Sequence, residues 1–176
     1  MKKILVIGAT VLDIVLNIDH LPKTSEDIHI KNQKMTLGGC AYNAANILDK
    51  FEVPYTLLSP IGTGRYADIV KSLLKEKQMT SAIELDGEDN GFCLCMVEKE
   101  GERTFVVYHG IEYSFNKEWV SKEDLLDYDS VYISGLEIEE KNGIDYNLSG
   151  VAVRTLKSYN KGKYNDTDNV IDNCRT

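Results

Sequence analysis

The chain has 176 residues and a formal net charge of −8, from 28 acidic and 20 basic residues. That length suits one domain with a sizeable core, and 43% apolar with 27% charged residues is ordinary for a globular protein in water. The acidic balance excludes a broad basic surface that would grip nucleic acid or an anionic membrane, but not a phosphorylated ligand held by backbone N–H groups at a helix start.

In chain order, Met1-Lys2-Lys3 before Ile4-Leu5-Val6-Ile7 looks like the opening of a signal peptide. However, Asp13 interrupts the apolar run, and no small-x-small cleavage site follows closely. Lys3 to Ile7 suits a strand buried on both faces, ending at Gly8, and Val11 to Ile18 is a second extended stretch. After Leu21-Pro22, Asp27 to Lys31 alternates polar and apolar residues and predicts a half-exposed strand. Gly38-Gly39 then introduces Ala41, Ala44, Ala45, Leu48 and Phe51 at helical spacing, which predicts a helix over 40–51.

Tyr55 to Ile61 predicts a strand, Gly62-Thr63-Gly64 a turn, and Tyr66 to Gln78 an amphipathic helix with Ile69, Val70, Leu73 and Leu74 inward. Ser81 to Leu85 reads as a short strand. Phe92 to Glu98 and Thr104 to Tyr108 flank Lys99-Glu100-Gly101-Glu102-Arg103 as a hairpin. A short helix over 121–126 and a strand over 130–134 follow, and beyond about Glu140 six asparagines scatter among glycines without periodicity. Alternating strands and helices predict an α/β domain with a largely parallel sheet. No stretch approaches eighteen apolar residues, so the expected location is the cytoplasm, with no membrane or nucleic acid as partner. Cys40, Cys93, Cys95 and Cys174 form no C-x-x-C pair and lack a nearby histidine, so no metal site is expected. Cys93 and Cys95, two apart in a strand, are expected to pack on one face.

The informative segment is Gly38-Gly39-Cys40-Ala41-Tyr42-Asn43-Ala44-Ala45. Two glycines let the backbone approach a ligand, and the helix that follows points free N–H groups back toward it. Asn43 offers a donor and acceptors to a hydroxyl, and the Asp13 carboxylate can accept from two adjacent hydroxyls. Together they suit a polyol. Taken singly, a Gly-Gly before a helix is more often a plain turn, and an Asp near a strand end is as often a cap.

Gly8-x-x-x-x-Asp13, Leu21-Pro22 and Gly38-Gly39-x-Ala41-x-Asn43-x-Ala45 resemble, in order and spacing, the opening of PfkB-family (ribokinase-type) kinases. Gly62 stands where the family's first pattern has its later glycine, and the hairpin Glu98 to Thr104, with Gly110 after it, resembles the family's lid strands. The resemblance covers roughly residues 3–138. It implies a partial ribokinase-like three-layer α/β/α core over 1–138, with a small β-sheet lid drawn from about 13–36 and 91–109. A divergent, weakly ordered tail over 139–176 would follow. It implies further that Asp13, Gly39 and Asn43 hold a sugar, with Gly38 beside them and Cys40 at a neighbouring position that varies with substrate. Glu137 resembles an acidic residue near the sugar. The implied activity is transfer of the ATP γ-phosphoryl, with Mg²⁺, to a hydroxyl of a sugar or nucleoside. A lid sheet with one open face further suggests a homodimer through lid strands.

Several positions depart from the pattern. Glu52 stands where Gly or Ser is expected after the helix, and Gly64 and Ala67 replace the Asp and Gly of Gly-x-Asp-x-x-Gly. Val11 replaces a sugar-binding Asn of ribokinases, which argues against ribose itself. No Gly-Ala-Gly-Asp run, which carries the family's general base, and no Asn/Glu motif for Mg²⁺ occurs, and Asp166-Thr167-Asp168 lacks the following glycines. There is no Walker A loop, H-E-x-x-H or G-x-S-x-G in their place. The expectation is therefore a chain cut short of the catalytic half, without a catalytic residue, with ATP- and Mg²⁺-binding residues largely absent, and inactive by itself. A non-catalytic sugar-binding or dimerising domain is the alternative reading. A dinucleotide-binding module is poorly supported, because Gly8 does not begin G-x-G-x-x-G.

Overall fold

Lys3–Ile7 (β1) runs between two parallel neighbours, Tyr55–Leu58 (β4) and Tyr128–Ile133 (β7), in the order β4-β1-β7. The computed structural model describes residues 3–114, 119 and 127–133. The predicted helix over 121–126 and the tail from 134 onward lie outside the described residues, as does Glu137. A second sheet has the order β3-β2-β5-β6, from Asn32–Gly38 (β3), Val11–Asn17 (β2), Phe92–Val97 (β5) and Arg103–Tyr108 (β6). In it β2 pairs parallel with β5, while β2–β3 and β5–β6 are antiparallel.

Two helices, Cys40–Lys50 (α1) and Arg65–Glu76 (α2), join the sheets. Alternation in β1 sends Val6 to one face and Leu5 and Ile7 to the other. Val6 and Leu57 pack with Ala41, Tyr42 and Ala45 of α1, with Ala67, Val70 and Leu74 of α2, and with Leu12, Ile14 and Leu37 of the second sheet. Leu5, Ile7 and Leu58 pack on the opposite side with Tyr128, Trp119 and Val131. The predicted inward residues Ile69 and Leu73 are partly buried against the same core. Cys93 and Cys95 are buried on one face, as their spacing predicted. No described helix is long and apolar enough to cross a membrane.

Both helices end in the same way. At α1, Glu52 N–H donates to the Asp49 carbonyl and Val53 N–H to the Leu48 carbonyl, with Glu52 at φ +55°. At α2, Gln78 sits at φ +58° and the matching bonds run to Lys75 and Leu74. This is the Schellman arrangement, whose left-handed position glycine fills most easily. Glu52 thus adopts a conformation glycine would take without strain, and the turn keeps its form although the residue differs.

Three expected elements are corrected. The strand expected at Asp27 to Lys31 lies instead at Asn32–Gly38. Register pairs Asn17 with Asn32, so residues 27–30 run past the end of β2, Lys31 N–H makes the last bond to it at the Asn17 carbonyl, and Ile30 is exposed. The strand at Tyr55 stops at Leu58 rather than Ile61, because Pro60 brings no N–H to a ladder. Ser81 to Leu85 makes only isolated bridges, Leu57 to Ser81 and Ile61 to Glu84. Between them the Ser59 N–H bonds the Ser81 side chain rather than its backbone.

Leu12 is fully buried where the two sheets share one core. Leu12→Ala should cost about 2–5 kcal/mol of stability, by lost transfer energy and a cavity, measured by urea unfolding.

Candidate sugar-binding site

Asp13 lies on the face of β2 opposite Leu12 and Ile14, paired with Thr36 of β3 and Cys93 of β5. Its carboxylate leans over the Cα of Gly38, and a Cβ built on Gly38 would overlap the carboxylate oxygens. Ala9, Val11 and Cys93 form a small apolar cluster in the same region. Burial pushes the Asp13 carboxyl above its ordinary value of 3.8. Burial also drives the Cys93 thiol up to about 11, with the Asp13 charge adding to the effect. Cys93 therefore stays a thiol near neutral pH and acts as a packing residue rather than a nucleophile.

Gly39 follows at φ +89°, a left-handed conformation that side chains rarely take, and an added Cβ would lie 3.2 Å from Val11 N and overlap the Ala9 carbonyl oxygen. This close approach brings the start of α1 against the β1–β2 connection. No side chain caps α1, so its first-turn N–H groups remain for a ligand oxygen or solvent. Asn43 lies in that first turn, with its N–H donating to the Gly39 carbonyl at 3.0 Å and its side chain exposed. Cys40, the first helical residue, is also exposed. Asp13, Gly38, Gly39, Cys40 and Asn43 are thus gathered where the end of β3 turns into α1.

Reading the sequence missed a second group of polar residues. Glu112 and Asn90 are buried at 1% and 0% exposure, and they hydrogen-bond to each other at 3.3 Å. Asp89 caps α2 from outside the helix, accepting from Tyr66 N at 3.1 Å and Ala67 N at 2.8 Å. Gly64 leaves that helix start without a side chain of its own, and Asp89 supplies the missing carboxylate. The signal available was Glu88-Asp89-Asn90-Gly91, a cluster of turn-formers at the entry to β5, and nothing local reveals which donors it meets. A cavity of about 350 Å³ lined by Ile61, Lys71, Met79 and Glu84, among others, shares no residue with the Asp13 group, and Glu84 already pairs with Lys71 at 3.2 Å.

The family model described as pfkB family carbohydrate kinase matches residues 1–175. The chain belongs to the PfkB family of carbohydrate kinases. The match runs past the stretch 3–138 that carries the motifs. An uncharacterised sugar kinase of Escherichia coli, YegV, is 31% identical over 142 residues, spanning 81% of this chain and 44% of the relative. Ribokinase of Staphylococcus aureus is 24% identical over 170 residues, spanning 88% and 56%. The chain thus spans about half the length of the curated relatives it matches. Among solved structures, the ribokinase of Giardia lamblia superposes with a TM-score of 0.73 at 18% identity, over 92% of this chain and 51% of that one. Arabidopsis thaliana ribokinase, complexed with ribose and ATP, gives 0.69 at 16%, over 90% and 51%. The fold is ribokinase-like.

The raised carboxyl of Asp13 has a consequence for stability. Its native pKa exceeds its unfolded one, so the native state holds the proton more tightly and loses stability as pH rises from about 3.8 through the native value. Asp13→Asn removes this titration. Chemical denaturation across pH should show the variant gaining on the wild type through that window, with a constant difference above it.

Proposed function

We propose that the chain forms the sugar-holding part of a kinase that transfers the γ-phosphoryl of ATP to a hydroxyl of a sugar or nucleoside. The observation that carries this reading is the partly desolvated Asp13 carboxylate over Gly38, beside the uncapped start of α1. A carboxylate freed of part of its water accepts strongly from two neighbouring hydroxyls. Asn43 would add a donor and an acceptor, Gly39 would allow close approach of the ligand, and Cys40 would border it. Glu137 would supply a further acidic contact from outside the described residues. The names of the relatives, which include sugar kinase, ribokinase and nucleoside kinase, support a polyhydroxylated acceptor. The ribokinase complexed with ribose and ATP supports ATP as donor.

Among the described residues, no group of three or more His, Cys, Asp or Glu side chains could hold a metal ion. No step involving Mg²⁺ is therefore assigned to them. Their work is binding and orienting the acceptor. The 176 residues also hold no Gly-Ala-Gly-Asp run, and most of the rate in phosphoryl transfer comes from such positioned groups. Purified alone, the chain is expected to bind sugar without consuming ATP. Sugar-dependent ATP turnover across a panel of sugars and nucleosides would overturn that expectation.

A second copy as partner is favoured by β6. It is the edge of its sheet and leaves Phe105 and Tyr108 exposed by 57% and 60%, with Val106 and Val107 also exposed. We expect this strand to be covered in a homodimer, and light scattering that finds only monomer over a wide concentration range would remove the proposal.

For the sugar site, Asp13→Ala should weaken binding of the best ligand in the panel by about 1.5–3 kcal/mol, as for a lost hydrogen bond to a charged group. Calorimetry reads the effect. An unchanged affinity in a folded variant would take Asp13 out of the site.

A further inference from the structure

We propose that Glu112 is a positioning residue for Asp13: its buried carboxylate ties both strands of the hairpin to the core and so fixes where β5 holds β2. The step from position to binding rests on the sugar-site reading above, but the tie itself does not.

The chain enters the hairpin through Asp89-Asn90-Gly91 and leaves it through His109-Gly110-Ile111. Glu112 sits in the single-turn helix Ile111–Tyr113 directly after that exit. Its Oε2 accepts from Gly91 N at 2.8 Å and from Asn90 Nδ2 at 3.3 Å, and its Oε1 accepts from Gly110 N at 3.0 Å. One carboxylate therefore grips both crossing strands. Asn90 carries the connection inward, with its Oδ1 accepting from Gly62 N at 2.9 Å and its Nδ2 also donating to the Pro60 carbonyl at 3.3 Å. Ile111 N donates to the Asp89 carbonyl at 3.1 Å, and the Asp89 side chain holds the start of α2. Hydrogen bonds run without a break from α2 and the 60–62 turn to both ends of the hairpin.

The crossing has no slack. A Cβ on Gly91 would come within 2.6 Å of Gly110 N, and one on Gly110 within 2.5 Å of the Asp89 carbonyl oxygen. Three donors converge on two oxygens, and only a carboxylate presents acceptors at both. None of the three partners carries a charge, so burying this group is costly unless every bond is made. Two residues past Gly91, Cys93 pairs in register with Asp13. The strand end that Glu112 holds is therefore the one that lies against Asp13, on the side of β2 away from β3.

Glu112→Gln in the 176-residue chain is the direct test, because it keeps the shape but must turn an NH₂ toward Gly110 N–H or toward Gly91 N–H. Hydrogen–deuterium exchange is expected to accelerate about tenfold or more over 89–94 and 108–112, with β1 and β4 unchanged. The Asp13 carboxyl, followed by NMR through a pH titration, is expected to move back toward 3.8 as the loosened strand admits water. Unchanged exchange at the crossing would overturn the proposal. So would uniform acceleration that includes β1 and β4 with the Asp13 titration unmoved, since that marks general destabilisation. Should Glu112→Gln not fold, Asn90→Ser cuts the inward side of the tie and must give the same local pattern. An unchanged sugar affinity in Asp13→Ala would remove the sugar reading and leave these outcomes standing.

Discussion

The structure depends on the two-residue alternation of one strand, β2. Leu12 and Ile14 go to one face and join a core that spans both sheets and both helices, while Asp13 goes to the other. A one-residue slip would bury the carboxylate in that core and expose the leucine. The slip is resisted on both sides, because β2 is paired over its length with β3 and over six residues with β5. Position and stability of the acidic group are therefore set by the same ladder.

That arrangement places a charge at the boundary of an apolar region, and small residues make it possible. Gly38 leaves the space the Asp13 carboxylate fills, and Gly39 turns the chain so that α1 starts against the β1–β2 connection. The same region brings together one partly desolvated acceptor, an exposed amide at Asn43 and an uncapped helix start. Its cost falls on folding stability near neutral pH, a common feature of functional groups.

The base of the hairpin solves a different problem. Two strands leave the core side by side, and their terminal N–H groups would be stranded where the ladder ends. Glu112 accepts from those donors in a buried position, Asn90 accepts from Gly62 N–H of the body, and Asp89 accepts from the first N–H groups of α2. Three polar residues, two of them adjacent at the entry to β5 and one just past the exit of β6, thus tie the hairpin and α2 to the body. Membership of the PfkB family accompanies a fold in which one sheet carries Asp13 and another, of parallel strands, forms the body.

Much of this was legible in the sequence. Helical spacing from Ala41 to Phe51 and apolar runs at Lys3–Ile7 and Phe92–Val97 determined their elements, because burial periodicity is a local property. The order and spacing of Gly8, Asp13, Gly38, Gly39 and Asn43 pointed to the family that the matching family model shows. Register was not legible. Asp27 to Lys31 has the alternation of a strand but lies past the end of β2 except for one bond from Lys31 N–H, whereas the polar run Asn32–Gly38 pairs fully with β2. The roles of Asp89, Asn90 and Glu112 were equally hidden, since each depends on hydrogen-bond partners 21 to 30 residues away that only the folded chain brings within 3.3 Å. Composition and spacing determine which segments bury which faces; pairing partners and buried hydrogen bonds are decided by the tertiary structure, because they are properties of two distant segments at once.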